Sequence, residues 1–158
     1  LGSFYHLAFA EKMVETVRES EHASFERVLM FQGMEGYDDV RPGYTKVAEW
    51  TAAGDEGDEA GSESASFDDF EIETAEYGMD LEEDDLAVDD VGGESATITE
   101  EVLAGEREDA FADAVAVNAA LRIYAREDAD SIEAGLELAR DAIDDGSAMA
   151  VLDALRDF

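Results

Sequence analysis

The 158 residues are long enough for one domain with a real core, and 46% hydrophobic content argues against general disorder. Ten Lys+Arg against 43 Asp+Glu give a formal net charge of -33, a field that repels nucleic acid and anionic membrane surfaces. Cysteine is absent, so there is neither a disulfide framework nor thiolate metal ligation, and no apolar stretch reaches membrane-spanning length. A cytoplasmic protein is expected. The acidic residues are spread through every predicted helix, as in a halophile's solvated surface, where concentrated salt screens the self-repulsion of excess charge.

In chain order, residues 1–8 carry Gly2-Ser3 and read as a loop arriving from something earlier. The start at Leu1 in place of Met fits a fragment whose upstream part lies elsewhere. Phe9, Met13 and Val17 recur at helical spacing, so residues 9–20 are predicted to form an amphipathic helix. That helix would be the crossover from a preceding strand that the chain lacks. Val28-Leu29-Met30-Phe31 is an unbroken apolar run, suited to a strand covered on both faces. Beyond Gln32-Gly33 come the turn residues Gly36, Asp38, Asp39, Pro42 and Gly43. The adjacent carboxylates Asp38 and Asp39 are therefore expected in a loop past the carboxyl end of a central strand, where open α/β sheets bind ligands.

Tyr44 to Thr51 reads as a strand, and residues 67–77 alternate Phe70, Ile72 and Thr74 with Asp69, Glu71 and Glu73, a strand with one wet face. Residues 54–66, GDEGDEAGSESAS, form an acidic loop between them, across which a hairpin is expected. Residues 79–93 add an acidic connector anchored by Leu81, Leu86 and Val88. Thr97-Ile98-Thr99-Glu100 matches a capping box that opens a short helix closed by Gly105. A buried helix spans 109–127, with Ala114, Val117, Leu121 and Tyr124 on its more apolar side. Asp130 caps the next, whose stripe is Ile132, Leu136, Ala139 and Ile143. A last helix from Ser147 turns Ala148, Val151, Leu152 and Leu155 inward.

These pieces carry a family resemblance along nearly the whole chain. QGMEGYDDVRPGYTKVAEW resembles the strand, glycine turn, acidic pair and T-[RK]-VAE run of anthranilate phosphoribosyltransferases. Val102 to Gly105, Asn118-Ala119-Ala120, Ser131, Gly135, Ala139, Ile143, Gly146 and Ala148 follow in the order of that family's carboxyl end. The resemblance implies an α/β fold: residues 1–158 as the carboxyl-terminal portion of a phosphoribosyltransferase/nucleoside phosphorylase-type domain, with a mixed, mostly parallel sheet and surrounding helices. It implies that the amino-terminal helical domain and the glycine-rich phosphate loop are absent, and any homodimer contact with them. It further implies a magnesium-dependent transfer, in tryptophan biosynthesis, from phosphoribosyl diphosphate to anthranilate or a similar aromatic acceptor, an activity that the isolated chain would lack.

In the family an Asp-Glu pair ligates Mg²⁺; here Asp38 and Asp39 stand there, the second one methylene shorter. Hard carboxylate oxygens suit Mg²⁺, which keeps several waters and bridges to substrate phosphates. Read alone, the pair is a solvated turn in a protein full of acidic turns. His6 and His22 read as surface or packing histidines, and Asn118 as satisfying backbone groups of a neighbouring loop. Lys46 and Arg41 could approach a phosphate but more simply counter local carboxylates. Trp50 and Phe31 read as core. Two other readings stay open. Gln32-Gly33, where the enzymes more often have His-Gly, leans toward a nucleic-acid-binding relative, against which the charge weighs. The chain could also be a purely structural half.

Overall fold

A computed structural model describes residues 1–4, 6–19, 25–32, 39–52 and 66–158. The chain divides into two compact units, Leu1–Val40 with Tyr44–Glu73, and Arg41–Gly43 with Thr74–Phe158.

The first unit is a four-stranded sheet in the order β1-β2-β3-β4. The strands are β1 (Gly2–Phe4), β2 (Arg27–Gln32), β3 (Tyr44–Thr51) and β4 (Ser66–Glu73), with helix α1 (Leu7–Arg18) between the first two. β1 and β2 are parallel, Phe4 opposite Gln32, so the β-α-β unit is complete. The sequence expectation of a crossover without its first strand is corrected. Three residues with a single large apolar side chain offer no alternation from which a strand could be read.

The expectation of a mostly parallel sheet is also corrected, although the α/β class and the mixed sheet hold. β2 pairs antiparallel with β3, and β3 antiparallel with β4. A parallel return needs a crossover of about a dozen residues or more, usually helical, and residues 33–43 are too few. The hairpin across the acidic loop is present, closed by Thr51 Oγ1 and Ser66 Oγ at 2.8 Å. β4 stops at Glu73, and Thr74–Tyr77 continues as a 3-10 turn instead of strand.

Helix α1 turns its buried face by one position, about 100°, from the predicted stripe, while Glu11 and Glu15 stay exposed. Ala10 and Val14 are buried with Phe4, Met30, Ala48 and Trp50, whereas Phe9 and Met13 are 58% and 48% exposed. Both stripes have helical spacing, and the small Ala10 lets the helix approach the sheet closely. On the opposite sheet face Leu29, Phe31, Val47 and Ile72 have no exposed surface. β2 is thus covered on both sides, as its unbroken apolar run predicts.

In the second unit the helices are α2 (Val91–Leu103), α3 (Ala110–Ala125), α4 (Ile132–Asp144) and α5 (Ser147–Arg156). α2 starts ahead of the expected capping box. Its cap is Asp90, which accepts the Gly92 N–H at 3.1 Å, while Glu94 accepts the N–H groups of Asp89 and Asp90. The hydroxyls of Thr97 and Thr99 instead bond back to the carbonyls of Gly93 and Ser95, as threonines inside a helix do. Gly105, at φ +70°, closes α2 as predicted, its N–H on the Val102 carbonyl. α4 is capped by Ser131, not Asp130, through the Ala134 N–H, and buries Ile132, Leu136 and Ala139 of its expected stripe. α5 departs further, with Val151 62% and Leu155 69% exposed.

Arginines tie these acidic helices together. Arg107 joins Glu101 of α2 (2.8 Å) to Asp109, the cap of α3. Arg140 of α4 reaches Asp113 of α3 at 3.2 Å, and Arg156 of α5 pairs with Glu100 of α2. Each cross-link is one attraction among many carboxylate repulsions, so added salt removes more repulsion than attraction. Screening shortens from about 10 Å at 0.1 M to about 3 Å at 1 M. The melting temperature is expected to climb steadily across a KCl series from 0.1 M to molar concentrations; a flat or falling series would contradict this.

Asp109 gives a second expectation. Its hydrogen bond with Arg107, then the N–H groups of Ala112 and Phe111, hold its carboxyl below the usual carboxylate range. A lowered folded-state value stabilises the fold above the ordinary carboxylate pKa, and the contribution fades as pH falls through the folded value. Asp109→Ala should cost about 1 kcal/mol at pH 7, the usual worth of a cap. Denaturant melts should show the two proteins converging as pH drops below the ordinary range near about 3.9. An undiminished gap in strong acid would refute the assignment.

Candidate functional site

Parallel strands leave a sheet on the same side, so β1 and β2 end together at Phe4 and Gln32. The antiparallel β3 begins at that edge and β4 ends there, with Tyr44 opposite Glu73. The edge therefore brings Gln32, Tyr44 and Glu73 to the carboxyl ends of the parallel pair, with His6 two residues past the end of β1, the position at which α/β sheets take ligands. The rigid part is β2, fully buried at Leu29 and Phe31.

Of the adjacent carboxylates, Asp38 lies outside the described residues. Asp39 is half-buried and precedes the buried Val40, which is 5% exposed. Among the described residues no three or more His, Asp or Glu side chains converge in a way that could hold a metal. That does not conflict with Mg²⁺, which is commonly held by one or two carboxylates with substrate phosphates and water filling the rest. The hard-oxygen donors fit that ion; nothing described at this edge supplies the sulfur or nitrogen set of a zinc site.

The other singled-out residues resolve as structure. Lys46 Nζ lies 2.6 Å from Asp69 Oδ2 across the β3-β4 pair. Its hydrogen bond with Asp69 raises its pKa, with a further contribution from Glu71, so it counters local carboxylates as expected. His6 is exposed at the start of α1, its ring stacked on Phe9 with centroids 6.4 Å apart. His22 lies outside the described residues. Asn118 Nδ2 donates to the Ala114 carbonyl of its own helix at 3.0 Å. Trp50 and Phe31 are core, 7% and 0% exposed.

One pair is not legible in the sequence. Arg27 Nε stands 3.1 Å from Glu49 Oε1, both side chains under one-fifth exposed at 17% and 16%. Arg27 lies opposite Thr51 and Glu49 opposite Leu29, so the two are diagonal neighbours on one sheet face. The Glu of the T-[RK]-VAE run thus fixes β2 against β3, as its Lys fixes β3 against β4. Only the pairing register reveals this.

In the helical unit a hollow of about 350 Å³ is lined by Asp80, Leu81, Asp85, Asp109, Ala110 and Asp113. Three of its four carboxylates are engaged: Asp85 accepts the Glu82 N–H, Asp109 caps α3, and Asp113 holds Arg140. Such a lining repels phosphates.

Residues 2–149 match the family described as glycosyl transferase family, a/b domain. The anthranilate phosphoribosyltransferase of Haloferax volcanii is 33% identical over 147 residues, covering 92% of this chain and 40% of that protein. Among solved structures, the anthranilate phosphoribosyltransferase of Thermus thermophilus is similar with a TM-score of 0.61 and 26% identity, over 81% of this chain and 34% of that one. The Saccharomyces cerevisiae enzyme in complex with PRPP and Mg gives a TM-score of 0.59 at 21% identity, over 79% of this chain and 33% of that one, a likeness of fold. The chain spans about two-fifths of the length of the curated relatives it matches. With the match running from β1 into α5, the chain belongs to the glycosyl transferase family, a/b domain, and the relatives it is similar to are anthranilate phosphoribosyltransferases.

Proposed function

We propose that these residues are the metal-holding part of a magnesium-dependent phosphoribosyltransferase that moves a phosphoribosyl group from phosphoribosyl diphosphate to anthranilate, a step of tryptophan biosynthesis carried out in the cytoplasm. The observation that carries this reading is the family match running through the turn sequence that contains the adjacent carboxylates. In the transfer, the amine nitrogen of the acceptor bonds to the anomeric carbon, the carbon–oxygen bond to diphosphate breaks, and the nitrogen then loses a proton. Mg²⁺, when bound, neutralises charge that grows on the departing diphosphate.

Asp38 and Asp39 would hold that ion from the segment that follows β2. On a regular strand neighbouring side chains point to opposite faces, so a turn is what lets both carboxylates approach one ion. Asp39, one methylene shorter than the Glu of the family pattern, fits contact through water. The buried β2 and the Arg27–Glu49 ion pair hold together the two strands on either side of that segment. The phosphate cradle and the acceptor pocket fall to the part of the relatives outside the match. A nucleic-acid-binding role is disfavoured by the -33 charge.

The test is a chimera in which this chain replaces the corresponding segment of the Haloferax volcanii enzyme, assayed for loss of anthranilate fluorescence with phosphoribosyl diphosphate and Mg²⁺ in molar KCl. Turnover is expected. A folded chimera that binds single-stranded DNA and transfers nothing would instead favour the binding relative.

A further inference from the structure

The chain contains a single proline, and it stands directly before a glycine, between the acidic pair and β3. Pro42 in second place and Gly43 in third give the order of a type II turn, which needs a positive φ at the third residue. Gly43 has that backbone, at φ +84°, and a Cβ built on it would meet nothing within 4 Å. The glycine is therefore required by conformation and not by space.

The Gly43 carbonyl is where this turn is tied down. It accepts the Thr74 N–H at 3.0 Å, and the Thr74 hydroxyl approaches it at 3.4 Å. Tyr44 lies opposite Glu73, so Gly43 and Thr74 carry the β3-β4 ladder one step beyond its end. Thr74 is itself well anchored: it is 2% exposed, and its carbonyl accepts the N–H of the fully buried Met79 at 3.1 Å. A hydroxyl held out of water costs stability unless it finds a partner, so a buried threonine where valine would fill the same volume has its reason in the Gly43 carbonyl. At the other end of the turn sequence Val40 is 5% exposed. Asp39 thus precedes a segment pinned at Val40 and again at Gly43.

We propose that Gly43 and Thr74 are positioning residues for the metal: their bond fixes the path of residues 39–43 and so holds Asp39 in the conformation that meets Mg²⁺ and diphosphate. The proposal rests on the transferase reading for what Asp39 holds. A segment already in its binding conformation gives the ion its full affinity. One that visits this conformation for a fraction of the time binds more weakly by that fraction, and saturating ion restores the rate. The latch therefore acts on the Mg²⁺ requirement and not on kcat.

Gly43→Ala is the test, because its Cβ has room and only the φ is opposed. Gly43→Asn is its rescue, since asparagine adopts the left-handed backbone more readily than other side chains. In this chain without metal, in molar KCl, hydrogen exchange of the Thr74 amide should be about 10-fold faster in Gly43→Ala and close to wild type in Gly43→Asn. In the Haloferax volcanii chimera the alanine should raise the half-saturating Mg²⁺, by about 10-fold at most, with kcat at saturation unchanged, and asparagine should restore it. Thr74 exchange indifferent to Gly43→Ala, or a half-saturating Mg²⁺ that stays put while that exchange quickens, overturns the proposal. So does an equal loss in both variants, since the backbone conformation would then not be the cause. A parent chimera without turnover, in which exchange still separates the two variants, leaves the latch standing and counts against the transferase reading.

Discussion

Gly135→Leu is expected to leave the helical unit unable to fold at salt concentrations where the wild type is stable. A Cβ at Gly135 would lie 2.7 Å from the carbonyl oxygen of Ala120 and 3.3 Å from its Cα and carbonyl carbon. These are backbone atoms in the middle of α3, where Ala120 and Leu121 are fully buried, so no flexible side chain can swing aside. Alanine there gains about 1 kcal/mol of helix propensity over glycine but meets an overpacking cost of about 1–3 kcal/mol. Gly135→Ala should therefore be mildly destabilising, by about 1 kcal/mol net. Leucine has to part the helices altogether, uncovering Val117, Leu121 and Leu136, and each side chain loses burial worth about 1.5–3 kcal/mol. That approaches the whole stability of a domain this size. Gly92 is the control: a Cβ there would meet nothing nearer than Asp90 Oδ1 at 3.6 Å, an ordinary contact. Gly92→Ala should melt within a few degrees of wild type, and a well-folded Gly135→Leu would show that α3 and α4 do not cross so closely.

Elements whose pattern has one interpretation are legible in the sequence. The unbroken run of β2, the alternation of β4, the stripe of α4 and the stop at Gly105 each leave a single assignment, and the structure agrees with it. Where two patterns compete, nothing in the sequence chooses between them. On α1 the stripes Phe9–Met13 and Ala10–Val14 are both helical, and hydrophobicity favours the bulkier one. Close approach to the sheet favours the smaller, and that is decided by packing. In α2 a Thr-x-x-Glu capping box lies inside the helix, while the working cap, Asp90, is masked by the two glycines after it. β1 is too short to show a period.

At the site, the end of β2 at Gln32 is legible because turn residues follow it in the sequence. The pairs that brace the strands are not. Arg27 and Glu49 are far apart in sequence, and only the antiparallel register brings them to 3.1 Å.

Whether Asp38 and Asp39 hold the ion on which phosphoribosyl transfer depends is decided most directly by one measurement. It is magnesium-dependent anthranilate turnover by the Haloferax chimera carrying this chain, set beside its Asp38→Asn and Asp39→Glu variants, with melting temperatures as the folding control. Asn keeps the size and turn preference of Asp while removing the charge aimed at the ion. Asp38→Asn should melt like the parent, need more Mg²⁺ for half-maximal rate, and lose about 100-fold or more in kcat, the scale of removing one preorganised group that stabilises developing charge. Asp39→Glu, which lengthens the side chain, should preserve or raise activity. Parental turnover and an unchanged magnesium response in Asp38→Asn would contradict the metal-holding role and return the acidic pair to the solvated turns that cover the rest of the surface.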